Sequence, residues 1–197
     1  MAGMSDWDLT RITAATDALL RTTENPRHRA ILTNYRRHAL LEVSGRYEEI
    51  LVPEMTIAHP VYRLTEGPQT LVLDGYQAVH DFYAMLSGVG AIVMGPVDEE
   101  LVVADWGFAS ECMFHHFMPG RLLMEVEDID DPDATYVVKH ILAFHWPYDD
   151  EQRLIGEHVY EDTASRVVEK VDPADVISPA RARELLAPQL EREIALV

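Results

Sequence analysis

The chain has 197 residues, 48% of them hydrophobic, which is enough to bury one core of ordinary size. Asp and Glu total 34 against 16 Lys and Arg, and the formal net charge of −18 disfavours nucleic acid and anionic membrane surfaces as partners. No apolar run reaches the roughly 20 residues of a membrane helix, and the N-terminal residues lack the pattern of a signal peptide. The single Cys112 excludes an intrachain disulfide and suits a reducing compartment. We therefore expect a cytoplasmic protein.

Two helices are predicted at the start of the chain. Ser5 or Asp6 can cap the first, and Asn25 followed by Pro26 is a typical start for the second. The second helix has a stripe of side chains spaced i, i+4 and i+7 that should face the interior. This stripe consists of Ile31, Tyr35 and His38.

A strand over residues 55–62 and a third helix are predicted next. The strand would place His59 on the same face as three apolar side chains, and Pro60, which has no N–H, indicates an edge strand or a bulge. Asp74-Gly-Tyr-Gln77 has the spacing of a capping box and predicts the start of the helix. The inward side chains of that helix are Val79, Phe82, Tyr83 and Leu86.

Three more strands are predicted over residues 91–97, 101–117 and 121–126. The alternation of the long strand over 101–117 groups six side chains on one face. They are Trp106, Phe108, Ser110, Cys112, Phe114 and His116.

A hairpin over residues 134–162 is the most informative stretch of the sequence. Its first strand alternates regularly and places an apolar face around His140. That face is Tyr136, Val138, His140, Leu142, Phe144 and Trp146. Its second strand ends in His158-x-Tyr160-x-Asp162, which we assign to the same side. Because each buried polar group without a partner costs a few kcal/mol, these side chains indicate a pocket lining.

Helices followed by a long antiparallel sheet predict an α+β fold, with a curved sheet wrapped around the N-terminal helices to form a cone-shaped pocket. We assign residues 1–165 to a single domain and residues 166–197 to a C-terminal helical extension. Three segments carry a resemblance to a known family: Ala58-His-Pro-Val61, Asp74-Gly-Tyr-Gln-Ala-Val-His-Asp-Phe-Tyr83, and Ile155-Gly-Glu-His158 with Tyr160 and Asp162. In these segments and in the order of its elements, the chain resembles the nuclear-transport-factor-like (cystatin-like) superfamily. That superfamily includes ketosteroid isomerase, scytalone dehydratase, limonene epoxide hydrolase and the SnoaL-like polyketide cyclases.

The resemblance implies roles for particular residues. His59 occupies the position of the isomerase general base, directly before a proline, and His140 matches the acid that stabilises the oxyanion. The phenolic donor of the isomerase falls near His38, with Tyr35 one turn away. Because these positions hold His where the isomerase has Asp and Tyr, isomerisation of a ketosteroid is not expected. Acid–base chemistry in an apolar pocket is expected instead.

The expected catalytic residues are His59, His140 and Asp162, since imidazoles titrate near neutral pH and can act as base or acid. We expect His59, His140 and His158 to converge on one enclosed pocket. The expected substrate-binding residues are Tyr35, His38, Tyr83, Trp106, Phe114, His116, Phe144, His158 and Tyr160. Four inward histidines and Asp162 could build a zinc or iron site, but without an HExxH or CxxC motif we expect neither a metal nor another cofactor.

The predicted function is that of a cofactor-independent lyase or isomerase acting on a mostly apolar, aromatic or polycyclic small molecule. Dehydration, aldol or retro-aldol cleavage with release of formaldehyde, and cyclisation all remain open. One alternative is a non-catalytic module of the same fold that binds a small molecule or a protein. Another is an epoxide hydrolase, although the predicted pocket faces lack the Asp-Arg-Asp set that such an enzyme uses to activate water. A homodimer is expected through the opposite sheet face, which carries Met113, Val137, Ile141, Ala143 and Val159.

Overall fold

The computed structural model describes residues 7–67 and 69–196 of the chain. The predicted cap at Ser5 or Asp6 lies outside these residues. In chain order the regular elements are α1 (Ala14–Thr22), α2 (Pro26–Val43), β1 (Val61–Glu66), β2 (Gln69–Asp74), α3 (Tyr76–Gly88), β3 (Met94–Ala104), β4 (Gly107–Pro119), α4 (Gly120–Leu123), β5 (Thr135–Pro147), β6 (His158–Lys170) and α5 (Pro179–Leu190). Short 3-10 turns at Leu9–Arg11 and Tyr47–Glu49 precede α1 and follow α2.

The six strands form one sheet in the order β2-β1-β6-β5-β4-β3. All neighbouring strands are antiparallel except β1 and β6, which are parallel. Helices precede, interrupt and follow the strands of this largely antiparallel sheet, so the predicted α+β class is confirmed.

The long helix α2 is the central support of the sheet and contacts α1, α5, β3 and β4. Asn25 caps it by accepting hydrogen bonds from the backbone N–H groups of Arg27 and His28, with Pro26 in the first turn, as predicted. The terminal helix α5 packs on the same core through Ala182 and Leu186, which are fully buried. Strand β6 continues to Lys170, so the boundary placed at residue 165 lies within a strand.

The predicted strand over residues 55–62 is wrong. The backbone N–H groups of Met55 and Thr56 both bond to the Val52 carbonyl, so the chain turns there instead of extending. Only an isolated bridge joins Thr56 to Leu154, and β1 begins at Val61. Strand β2, which pairs with β1, was not predicted.

The predicted strand over residues 101–117 is two strands joined by a tight turn at residues 105–106. Gly107 has φ +143°, and a Cβ there would collide with the Trp146 carbonyl, so only glycine permits this close passage. The predicted strand over 121–126 is also wrong, because this stretch holds the helical turn α4. The chain is folded back there by hydrogen bonds from Gly120 to Ala134 and from Arg121 to Pro132.

Helix α3 is confirmed, but its cap is not the predicted one. The helix begins after Gly75, which has φ +91° and makes no side-chain cap. Asp74 ends β2 and pairs with His59 instead. Three of its predicted inward side chains are buried, and the fourth, Phe82, is half-buried; the buried three are Val79, Tyr83 and Leu86.

Candidate functional site

A cavity of about 390 Å³ lies between the inner face of the sheet and helices α2 and α3. Its apolar wall includes Leu64, Phe82, Phe114, Leu142, Phe144 and Trp146. Its polar lining includes Glu42, Glu66, His116, His140, Glu157 and Arg166. The cavity can therefore hold an apolar small molecule and presents several ionisable groups to it.

Strand β5 lines the cavity with the face predicted from its alternation. Its contribution includes Val138, His140, Leu142, Phe144 and Trp146. Successive side chains of a strand point to opposite faces, so these alternate residues all point to the cavity side of β5. The polar member, His140, is almost completely buried.

Strand β6 lines the cavity with the opposite face from the one predicted. Phe144 pairs with Val159 and Leu142 pairs with Glu161, whereas His145 pairs with His158. Because directly paired residues share a face of the sheet, Val159 and Glu161 face the inside with β5's apolar row. His158, Tyr160 and Asp162 consequently lie on the outer face.

His140 is held by a buried ionic network. Its Nδ1 lies 2.6 Å from Oε1 of Glu161, whose side chain is fully buried. Arg166 donates to the same oxygen at 2.8 Å and to Glu127 at 2.6 Å, and the backbone N–H of Gly67 also donates to Glu161. The Nε2 atom of His140 has no hydrogen-bond partner among the described residues, and the ring lines the cavity.

The protonation states in this network follow from its contacts. Burial alone would raise the pKa of Glu161, but hydrogen bonds from Gly67, Arg166 and His140 hold it below its usual value. Burial lowers the pKa of His140, which Glu161 opposes and Arg166 reinforces. Glu161 is therefore ionised and accepts the Nδ1–H of a neutral imidazole. This tautomer leaves the buried Nε2 as an acceptor without a partner among the described residues.

An irregularity in β6 brings Arg166 into the network. Ile141 pairs with Asp162 and Lys139 pairs with Val167, so residues 163–166 bulge out of the ladder opposite His140. The hydroxyl of Ser165 accepts the backbone N–H of Ile141 at 2.7 Å, and its own proton bonds to the Asp162 carbonyl at 2.6 Å. These two hydrogen bonds hold Ser165 against Asp162 and Ile141, and the next residue, Arg166, donates to Glu161.

A second polar network lies behind the cavity wall. The hydroxyl of Tyr83 donates to Glu157 at 2.8 Å, and Nε2 of His38 lies 3.0 Å from both groups. Burial, followed by Glu157 and Glu42, raises the pKa of Tyr83 well above its usual value, so the phenol stays protonated. Glu157 is the member of this network that reaches the cavity.

Two further carboxyl groups line the cavity near Glu157. Burial, then Glu157 and Glu66, raises the pKa of Glu42 well above its usual value. Burial and the charge of Glu161 raise the pKa of Glu66 to about 7, although Arg166 opposes this. Near neutral pH these carboxyls can therefore carry protons.

Seven of the predicted site residues surround the cavity. Five line it directly: Tyr35, Phe114, His116, His140 and Phe144. His38 and Tyr83 stand behind it in the network of Glu157. His116 is a weaker candidate base, because its Nε2 donates to the Ala91 carbonyl at 2.7 Å and burial lowers its pKa to about 4.

The other five predicted site residues lie outside the cavity. His59 sits in the turn before β1, with 72% of its side chain exposed, and bonds to the Asp74 carboxylate at 2.8 Å. Trp106 is in the β3–β4 turn and stacks on His145, which in turn stacks on His158 on the outer face. The pairing register of β6 places Tyr160 and Asp162 there as well. The predicted convergence of His59, His140 and His158 is therefore wrong.

The sequence reasoning missed Glu161, Arg166, Glu66 and Glu157. A signal for Glu157 and Glu161 was present. They share one strand face with the apolar Ile155 and Val159, and charged residues within an apolar row indicate a buried polar site. No local pattern marks Arg166, which reaches the cavity only through the bulge. Val159, assigned to the dimer face, lines the cavity instead.

Two general features of the described chain bear on function. Among residues 7–67 and 69–196, no three His, Cys, Asp or Glu side chains are placed to share a metal ion. Within the same part of the chain, no helix is both long and apolar enough to cross a membrane.

The chain is similar in fold to several solved structures. A protein from Shewanella putrefaciens CN-32, assigned as a SnoaL-like polyketide cyclase, superposes with a TM-score of 0.51 at 12% identity, covering 77% of this chain and 90% of its own. One from Jannaschia sp. CCS1 with the same assignment gives a TM-score of 0.50 at 14% identity, covering 73% and 92%. The fold is that of the SnoaL-like proteins. No family model matches the sequence, and no curated protein is significantly similar to it.

Proposed function

We propose that the chain is an enzyme in which His140 acts as a general base on an apolar small molecule held in the cavity. The observation that carries this proposal is the buried His140–Glu161 pair. Its Nδ1 is fixed on a carboxylate, and its unpartnered Nε2 belongs to a ring that lines the cavity. A neutral imidazole oriented by a carboxylate is the usual arrangement of a histidine base.

The cavity wall supports an apolar substrate. Phe82, Phe114, Phe144 and Trp146 offer aromatic surface, so a flat or polycyclic molecule would bury much of its area there. Removing one proton from such a molecule begins a dehydration, a cyclisation or a double-bond migration. We therefore propose a lyase or isomerase that needs no cofactor for this step, a reaction type that accords with the cyclase assignment of proteins sharing the fold.

A purely binding role accounts less well for the site. Burying the Glu161 carboxylate beside a largely buried Arg166 takes charge out of water, and apolar side chains in their place would often make a binding pocket for an apolar ligand as stable or more stable. The free acceptor of His140 would also remain without a partner under an apolar ligand.

The test uses 5-nitrobenzisoxazole, a small aromatic compound from which a base removes one C–H proton as the N–O bond breaks, giving a coloured cyanonitrophenolate. The wild-type protein should accelerate this reaction above the buffer rate. His140→Gln should lower the rate by about 10²-fold, the usual contribution of a positioned base. His145→Gln, on the outer face of the same strand, is the matched control and should keep the wild-type rate.

Two outcomes would contradict the proposal. One is a wild-type protein that does not exceed the buffer rate. The other is a His140→Gln variant that is folded, as judged by circular dichroism, and as active as the wild type.

Epoxide hydrolysis is a second candidate that one observation favours. Arg166 lies between Glu161 and Glu127, a carboxylate–guanidinium–carboxylate chain that the sequence reasoning had not found. Such a chain can orient and activate a water molecule. Formation of the diol from styrene oxide, lost in Arg166→Gln, would favour this reaction over proton transfer from carbon.

A further inference from the structure

We propose that Glu66 is the general acid of the same site, placed to protonate a departing oxygen while His140 removes a proton. The reaction is then an elimination from a neutral, apolar substrate that carries a hydroxyl or ether oxygen as leaving group. This inference rests on the proposed role of His140 and adds the second catalytic group.

The sheet places Glu66 beside Glu161, the hydrogen-bond partner of the base. In the parallel ladder between β1 and β6, Leu64 pairs with Val159, and two residues further each strand has its next inward side chain. These are Glu66 and Glu161. The N–H of the adjoining Gly67 donates to Glu161, which holds His140, so the backbone next to Glu66 is tied to the base. Glu66 and His140 both line the cavity.

Burial and the charges around Glu66 keep a fraction of its carboxyl groups protonated near neutral pH. Glu161 and Arg166 face it from β6, Glu157 faces it from the residue just before β6, and Glu42 faces it from α2. Arg166 is already shared between Glu161 and Glu127, so it neutralises Glu66 only in part. Burial and the neighbouring carboxylates raise the pKa of Glu66 to about 7.

The base has the complementary state. Burial lowers the pKa of His140, with Glu161 opposing and Arg166 of β6 lowering it further. His115 and His116 of β4 also interact with this imidazole, and burial lowers the pKa of each to about 4. Over a range near neutral pH the carboxyl therefore holds a proton while the imidazole does not. Two groups whose environments push them into these opposite states form an acid–base pair.

The proposed step balances in protons and electrons. Nε2 of His140 takes a proton from carbon, the C–H electron pair becomes the new double bond, and the C–O bond breaks with its pair on oxygen. Glu66 gives its proton to that oxygen, which leaves as water or an alcohol. The imidazolium then returns its proton to the Glu66 carboxylate through solvent, and the site is restored.

A glutamate with only a structural role at this position would not donate a proton to the leaving oxygen. A glutamine or a leucine would fill the same space without burying an ionisable group among other carboxyls. The test must therefore detect proton donation, not only loss of folding.

The experiment compares two probes that differ in leaving oxygen. Unsubstituted benzisoxazole releases a more basic phenolate than 5-nitrobenzisoxazole, so it depends more on an acid. Glu66→Gln should slow the unsubstituted compound by about tenfold more than the nitro compound, because only the acid's contribution grows with leaving-group basicity. The variant should also lose the fall in rate above about pH 7 that titration of Glu66 causes in the wild type. Glu66→Asp should restore part of the difference, and Glu111→Gln on the outer face should change neither rate.

The outcomes separate this inference from the proposed function. His140→Gln should slow both probes by the same factor, because the same C–H bond breaks in each. If His140→Gln slows them but Glu66→Gln leaves their ratio and the alkaline limb unchanged, the assignment of Glu66 is overturned and the base stands. If His140→Gln has no effect, the proposed function fails first.

Discussion

At the scale of single residues, His140 depends on Glu161 for its orientation and for its protonation state. The carboxylate accepts the Nδ1–H at 2.6 Å and raises the pKa of the imidazole against the effect of burial. Arg166 and the Gly67 N–H keep that carboxylate ionised and fixed. Glu161 is thus a positioning residue, since it acts on the substrate only through His140.

Glu161→Gln should change the pH profile in a direction that a loss of folding would not produce. The base works when neutral, so the rate falls in acid as His140 takes up a proton. Because Glu161 raises the pKa of His140, its removal should move this acid limb to lower pH. The maximal rate with 5-nitrobenzisoxazole should fall about tenfold as the ring loses its orientation. Glu169→Gln, on the outer face of the same strand, is the control; an unmoved acid limb in Glu161→Gln would contradict the role.

At the scale of elements, the bulge at residues 163–166 positions Arg166, the positively charged side chain of the site. Ser165 accepts the backbone N–H of Ile141, which the bulge would otherwise leave without a ladder partner. Ser165→Ala should lower the free energy of unfolding by about 1–2 kcal/mol, the effect of leaving a partly buried N–H unpaired. Thr163→Ala, in the exposed part of the same bulge, should change it by less than about 0.5 kcal/mol. Equal changes in the two variants, measured by urea unfolding, would contradict this role for the hydroxyl.

The same scale shows why some elements were predictable from the sequence and others were not. The alternation in β5 is regular and apolar, so both its existence and the inward direction of His140 followed from the sequence. Strand β6 carries polar residues on both faces, and only its register with β5 decides that Glu161 and not Asp162 faces the cavity. Register is a long-range property, so a local pattern cannot supply it.

The error at His59 has a similar physical origin. Residues 55–61 alternate as a strand would, but the hydrogen bonds of Met55 and Thr56 return to Val52 and close a turn. The side chain of His59 is then free to reach Asp74 at the surface. Local turn bonds prevailed over alternation there, and the expected base lies outside the cavity.

At the scale of the whole molecule, the outer face of the sheet is the surface expected to form a homodimer. Its centre carries Met113, Ile141 and Ala143, all half-buried, and its margin includes Val102 and Tyr160, which are 63% and 47% exposed. Val137, once assigned to this face, is fully buried within the chain. Apolar side chains at the centre of a face that also carries charged residues such as Glu111 and Glu169 suit contact with a partner.

The homodimer remains a proposal, and its net charge makes it testable in a specific way. Each chain carries a formal charge of −18, so two protomers repel each other, and salt should strengthen the dimer by screening that repulsion. Light scattering at micromolar concentration should show twice the chain mass of 22.3 kDa at about 0.15 M salt and a smaller average mass at low salt. Ala143→Arg places a large charged side chain at the centre of the face and should give a folded monomer. Met85→Arg, on the exposed side of α3, should leave the dimer intact. A wild-type protein that is monomeric at every salt concentration would contradict the proposed homodimer.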